Sequence, residues 1–473
     1  MSTASITADA TAIPNARDIY ALAWPMTVKS VMLFGIVVID TLLVAPLGEA
    51  AIAAMGIATA IGGIVLGVLG AFASATQIRL AQGAGAGDPV FLKSAFLAGT
   101  ALNVAVALAS LALVWLASGA LIKGLAHDGW IAEQASRYLA IFSIVILGEA
   151  VGTCLSSYFN GSGETRLPLY AYAVGVPVNV AASYALIHGV GGAPELGVAG
   201  AAVGSAVATL LQLAILTAAM QRRTGWFADV SRWHEGSLGA AVRGHLRFSA
   251  PIAATFVSAT LSINVCKLLY ARMSVTEFAA LSIITPWIQV AGTIGMSWAQ
   301  ATGIVVAQML GRGRSAAALD AFVGLAWRTS FLAAAIVAMV YGLVCLWSPV
   351  VYPDLDARTH ATLLSFLVVL LVLPFPKQSN AICGNTLRAG GETVPVMHIF
   401  VWSQWAFRVP ATAVLVLWLD VPASWVLSLL LLEEFVKFPF FHGRLRRGDW
   451  KRGGMVSTSI PTPQTTNGTG GPA

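Results

Sequence analysis

Charge is the scarcest property of this sequence. Only 10% of its 473 residues are Asp, Glu, Lys or Arg, while 57% are hydrophobic. Soluble domains carry about 25% charged residues, so a soluble globular fold is excluded. Cysteine is also rare: Cys154, Cys266, Cys345 and Cys383 are the whole supply. All four fall in apolar runs, where reduced packing residues are expected rather than disulfides or metal ligands. The chain has no Cys-x-x-Cys pair, no His-Glu-x-x-His and no Gly-x-x-x-x-Gly-Lys-Ser/Thr. Zinc chemistry and direct use of ATP by this chain are therefore not indicated. Residues 1–17 lack the apolar core of a cleavable signal peptide. They are expected as a cytoplasmic N-terminus, with the first membrane helix as its own insertion signal.

What remains is a series of long apolar runs. Mean hydropathy is +0.79, and a membrane helix needs about 20 mostly apolar residues. Twelve runs qualify: 19–47, 50–80, 90–119, 131–158, 166–189, 198–221, 247–271, 277–307, 316–348, 360–386, 393–418 and 422–441. The expected fold is an all-α polytopic membrane protein of twelve transmembrane helices. The basic residues orient it. With the N-terminus inside, cytoplasmic segments hold seventeen Lys and Arg and outer segments four, as the positive-inside rule requires. The net charge of +6 thus serves topology and does not indicate a nucleic-acid partner.

The chain also repeats itself. Pro25 recurs as Pro251, Ala53-Ala54 as Ala279-Ala280, and AQGAGAG at 81–87 as AQMLGRG at 307–313, all 226 residues apart. SGETRLP at 162–168 recurs as GGETVP at 390–395. Six is even, so the halves share one orientation. Two parallel six-helix lobes follow, with pseudo-two-fold symmetry about the membrane normal and substrate expected between them. The boundaries are an N-lobe at 18–221, a cytoplasmic inter-lobe loop at 222–246, a C-lobe at 247–452 and a disordered cytoplasmic tail at 453–473. The Asn467-Gly468-Thr469 sequon of that tail reads as chance.

Charges inside the apolar runs are the functional candidates, since each costs roughly 2.5–3.5 kcal/mol at mid-membrane. Asp40 stands in the outer part of the first run and can hold a proton or ligate Na⁺. Asn179 and Ser183, one turn apart on the fifth, offer neutral oxygens on one helix face. Pro25 and Pro177 can bend their helices and free backbone carbonyls. Lys29, Glu149, Lys267 and Lys377 are substrate-cleft candidates. Glu149 shifted by the repeat falls on Pro376 or Lys377, so opposite charges can face each other across the cleft. Arg408, Glu433 and Glu434 sit near mid-depth on adjacent helices and read as a structural ion pair, with Lys437 a further partner. His188, His398 and His442 read as ordinary interfacial histidines.

Four stretches resemble the MATE (multidrug and toxic compound extrusion) family: IDTLLVAPLGEAAIAAMGIA at 39–58, PELGVAGAAVGSAVA at 194–208, LRAGGETVP at 387–395 and WAFRVP at 405–410. The resemblance covers residues 18–452. It implies a cation-coupled antiporter, driven by H⁺ or Na⁺ without other cofactors, that exports small organic compounds by alternating access. It places Asp40 at the family's helix-one coupling carboxylate, Asn179 at a nearby helix-five Asn, and Ser205 at a helix-six hydroxyl. It also implies a monomer in the inner membrane of a bacterial cell, both termini cytoplasmic. The chain departs from the family where Ser183 replaces a second acid, and where 247–271 and 360–386 contain no acid at all. With Lys267 and Lys377 in the C-lobe, a zwitterionic or anionic substrate fits better than a cation. The other readings are a flippase for a lipid-linked precursor and a membrane scaffold or enzyme without transport.

Overall fold

The computed structural model describes residues 13–126 and 128–453. The expected tail, with its sequon, and residues 1–12 of the expected N-terminal segment lie outside that range. Among the described residues there is no strand.

The N-lobe is α1 (Ala16–Val44), α2 (Glu49–Ala86), α3 (Pro89–Leu125), α4 (Gly129–Gly161), α5 (Arg166–His188) and α6 (Val198–Thr224). The C-lobe opens with α7 (Leu238–Tyr270), α8 (Val275–Gly311) and α9 (Ala316–Leu346), followed by one turn, α10 (Ser348–Val351). Its tenth span is broken into α11 (Ala357–Ser365), α12 (Leu367–Val372) and α13 (Pro374–Ala389). The eleventh runs from α14 (Thr393–Trp402) through a π-helical turn (Ser403–Arg408) into α15 (Val409–Leu417), and the twelfth is α16 (Ala423–Arg447). Among the described residues, ten helices are long and apolar enough to cross a membrane, and α11–α13 taken as one bent span makes an eleventh. α16 falls short of that measure because it carries Glu433, Glu434 and Lys437, all of them buried. Pro25 and Pro177 sit inside unbroken helices.

Helix ends carry the repeat. α1 ends at Val44 and α7 at Tyr270, while α2 begins at Glu49 and α8 at Val275, each pair 226 apart. Ends are capped by short polar side chains. Asp88 accepts from the backbone of Val90 and Phe91, Asp128 from Ile131 and Ser237 from Ala240, which satisfies donors that a helix cannot.

Two spans differ from the sequence reading. The tenth, expected continuous over 360–386, bends by 42° between Ala357–Val372 and Pro374–Ala389. Pro374 and Pro376 cause this, since proline has no N–H to give and clashes with the preceding turn. The seventh begins at Leu238 rather than 247: the stretch before it docks on α2 and α3, and His245 in its first turns is buried against α2. Arg79 bridges Glu235 at 2.7 Å, His245 meets Thr76 at 3.0 Å, and Ser94 accepts from the His234 backbone. His245, which read as the end of a solvated loop, is fully buried.

The lobes share a core near the basic face and a smaller second one, where Phe72 and Leu102 pack with Ala253. Near the basic face, Ile19, Leu22 and Ile78 of the N-lobe pack with Ile304, Met309 and Phe322 of the C-lobe. Toward the opposite face each lobe has its own core, around Tyr138 and Phe142 in one and Tyr341 and Phe366 in the other. At the shared end the repeated motifs close on each other. Gln82 donates to the Ala389 carbonyl at 2.7 Å, and its repeat mate Gln308 donates to the Gly161 carbonyl at 2.8 Å. The backbones of α2 and α8 approach so closely that only glycine fits. A Cβ on Gly85 would stand 2.7 Å from the Gln308 carbonyl carbon, and one on Gly311 would stand 2.9 Å from Gln82 C and Ala86 N. These are tighter than any real Cβ contact, and the opposing atoms are backbone.

Candidate functional site

Asp40 lies four residues before the end of α1 and is 6% exposed. Its neighbours come from α5 and α6, which pack tightly through small residues. Gly204 fits against the Ser183 backbone. That packing brings Asn179, 1% exposed, and Ser205 to the carboxyl. Ser205 Oγ donates to Asp40 Oδ2 at 3.4 Å, and Asn179 Nδ2 donates to Ser205 Oγ at 3.0 Å. With its amide turned over, Asn179 instead donates to Asp40 Oδ1 at 3.3 Å and accepts from Ser205. An ionised carboxylate accepts only, so this second orientation, with the amide N–H toward Asp40, satisfies the group. Among the described residues no Lys, Arg or His forms an ion pair with Asp40. The trio therefore offers one uncompensated acid and neutral oxygens, a set that can take up a single positive charge.

Ser183 is not part of this trio. It was expected beside Asn179 because residues four apart share a helix face. Its Oγ has no hydrogen-bond partner, and it serves the α5–α6 contact with Gly204. A four-residue step turns a helix by about 40° beyond a full turn, enough to change the neighbour.

A second group sits deeper in the N-lobe. Lys29 donates to Ser156 Oγ at 3.2 Å, and its ammonium stands 4.3 Å from the Tyr172 ring centre. The Tyr172 hydroxyl donates to Glu149 at 3.1 Å. Glu149 thus turns to its own lobe, and the expected opposition of Glu149 and Lys377 across a cleft is replaced by this local set. Tyr172 and Ser156 were missed because uncharged residues do not stand out in an apolar run.

In the C-lobe the π-turn aims Arg408 at α16. Pro410, which cannot donate, follows at the start of α15 and accounts for the local slip of the helical bonding. Arg408 Nη1 lies 3.0 Å from Glu433, Lys437 lies 3.4 Å from Glu433 and 2.8 Å from Glu434, and Arg408 also donates to Ser262. Asn380 of α13 completes the network, donating to Glu434 Oε2 at 2.8 Å. Lys377 borders a cavity lined by C-lobe residues alone, together with Arg388, which the sequence reading had counted only as a topological charge. Lys267 is exposed and lines a separate cavity of about 520 Å³ between α1 and α7–α8, opposite Phe34, Val37 and Val38. Cys266, the repeat mate of Asp40, is buried against Thr412 at 3.8 Å, and all four cysteines are free. Among the described residues no group of three or more His, Cys, Asp and Glu could hold a metal ion.

Residues 25–185 match the MatE family model. A probable multidrug resistance protein NorM from Deinococcus radiodurans is 30% identical over 311 residues, spanning 65% of this chain and 67% of its own. The uncharacterized transporter YisQ of Bacillus subtilis is 22% identical over 451 residues, spanning 93% and 96%. The fold resembles that of an outward-facing multidrug resistance MATE family transporter of the MOP superfamily, with a TM-score of 0.80 over 92% of this chain and 96% of that one at 16% identity. It also resembles a MOP superfamily transporter from Pyrococcus furiosus, with a TM-score of 0.77 over the same shares at 16% identity. The relatives are transporters, the spans are membrane helices, and the chain belongs to the MATE family.

Proposed function

We propose that this multi-pass membrane transporter is a cation-coupled antiporter that exports small organic compounds by alternating access, with Asp40 as the coupling carboxylate. The observation that carries the reading is the Asp40–Asn179–Ser205 trio. A buried acid without a basic partner is costly in a membrane unless it binds something positive. H⁺ or Na⁺ would fill that role. Binding it would neutralise Asp40, so occupancy can bias the packing of α1 on α5 and α6. The lobes pack on each other near the basic face and at Phe72, Leu102 and Ala253, and keep separate cores toward the other face, an arrangement that rocking about a central site would use.

The basic residues support both termini on the cytoplasmic side, and the family likeness supports a monomer in a bacterial inner membrane. A scaffold would have no use for an unpaired buried acid, and the relatives are transporters rather than enzymes, which disfavours those alternatives. The flippase alternative calls for a strongly basic cleft, whereas Glu149 and Lys29 share the N-lobe interior. The test is efflux of a fluorescent organic substrate from proteoliposomes under an imposed pH or Na⁺ gradient. Wild-type protein should respond to one gradient and Asp40→Asn to neither. Equal gradient-driven efflux by the variant would remove Asp40 from the mechanism.

A further inference from the structure

The C-lobe cavity is lined by two cations, Lys377 and Arg388, and by one acid, Glu434, whose carboxylate is already bonded elsewhere. Glu433 is bonded to Arg408 and Lys437, and Glu434 to Lys437 and Asn380. Two acids and two bases close that network. Lys377 and Arg388 remain. Neither makes a hydrogen bond or ion pair among the described residues, and Arg388 Nε is fully buried without a partner. The Arg388 guanidinium has only the Phe400 ring, 5.6 Å away, and Lys437 stands 5.1 Å from the same ring.

Both surplus cations line one cavity of about 110 Å³ between α13 and α8. Lys377, Asn380, Gly384 and Arg388 recur along α13 at helical spacing, so one face of that helix carries a cation toward each end. Gly384 and, on α8, Gly292 keep the space open; a Cβ on Gly292 would come within 3.9 Å of Lys377 Nζ.

We infer that this groove is a subsite for an organic anion, with Lys377 and Arg388 gripping a carboxylate or phosphate group of the transported compound. The inference rests on the reading of the chain as an exporter and adds the substrate class. Two unpaired cations in an apolar interior are expensive, and a counter-anion removes that cost. The Asp40 trio would then handle the driving cation, while the C-lobe handles the anionic end of the cargo. The anionic group can belong to a soluble compound or to a lipid headgroup.

Binding is measured on purified full-length protein in detergent, as the shift in thermal unfolding on titration. The probes are sodium phosphate, phthalate, short-chain phosphatidylglycerol and, as a cationic control, tetraphenylphosphonium. At least one anionic probe should stabilise wild type, and the cation should not act through this site. Lys377→Gln and Arg388→Gln should each raise the apparent Kd of that probe tenfold or more, since a charged hydrogen bond is lost. Lys377→Arg should restore it, which separates binding from a folding defect. A response to phosphatidylglycerol alone assigns the groove to a lipid headgroup, and a response to phthalate or phosphate assigns it to soluble anions. No anionic response, or one that survives both glutamine variants, overturns the proposal. Anion binding is read without any gradient, so loss of this subsite and loss of gradient coupling are read separately.

Discussion

Gly311→Ala should push the two lobes apart at the basic face. The new Cβ would stand 2.9 Å from Gln82 C and from Ala86 N, both backbone atoms. Carbon atoms settle at about 3.5–4.0 Å, so α2 and α8 must separate by about 1 Å. That movement strains the paired bonds from Gln82 to Ala389 and from Gln308 to Gly161, at 2.7 and 2.8 Å. Each is worth about 0.5–1.5 kcal/mol net. Losing both would change the equilibrium between lobe arrangements by about 5- to 150-fold. Gly85→Ala should act alike, because a Cβ there would meet Gln308. The assay is the spin–spin distance between labels on cysteines placed at the exposed Arg222 and Arg312, one in each lobe. Both glycine variants should shift the distribution to longer distances. Gly324→Ala, where a Cβ meets nothing within 4 Å, should leave it unchanged. Unchanged distances in both Gly85→Ala and Gly311→Ala would refute the role of this contact in holding the lobes together.

Removing Arg408 by substitution to Ala should be among the most destabilising single changes. It strips Glu433 of its 3.0 Å partner, and breaking a buried pair costs about 3–5 kcal/mol; thermal unfolding in detergent should fall by several degrees, and an unchanged Tm would contradict the network. Tyr172→Phe removes the 3.1 Å donor to Glu149 and should cost about 1.5–3 kcal/mol, read in the same assay. Ser205→Ala should weaken gradient-driven efflux, whereas Ser183→Ala should leave it near wild type. Equal effects of the two serines would argue that the Asp40 trio is drawn with the wrong hydroxyl.

The sequence exposed the architecture because membrane spans are written in composition and basic residues follow topology. The repeat went further than its first reading. AQGAGAG and AQMLGRG marked two lobes, yet nothing in the strings said that Gln82 and Gln308 would each bond the other lobe beside the second repeated motif. Contacts between lobes depend on three-dimensional approach that only the glycines hinted at. Pro374 and Pro376 announced the broken tenth span, but the apolar run on either side masked them. Arg388 was hidden for a different reason. A basic residue near a helix end satisfies the topology rule wherever its side chain goes, so the rule absorbed it. Ser183 is turned about 40° from Asn179 and meets Gly204 instead of Ser205. Ser205 was reached through the family resemblance, since a lone serine in an Ala/Gly-rich helix carries no signal of its own.

The most direct measurement of the central claim separates coupling from substrate handling at Asp40. Wild-type protein and Asp40→Asn are reconstituted in parallel and assayed for substrate exchange without a gradient and for uphill efflux with one. The account predicts that Asp40→Asn retains exchange and loses uphill efflux under both pH and Na⁺ gradients. Uphill efflux at the wild-type rate in that variant would contradict it.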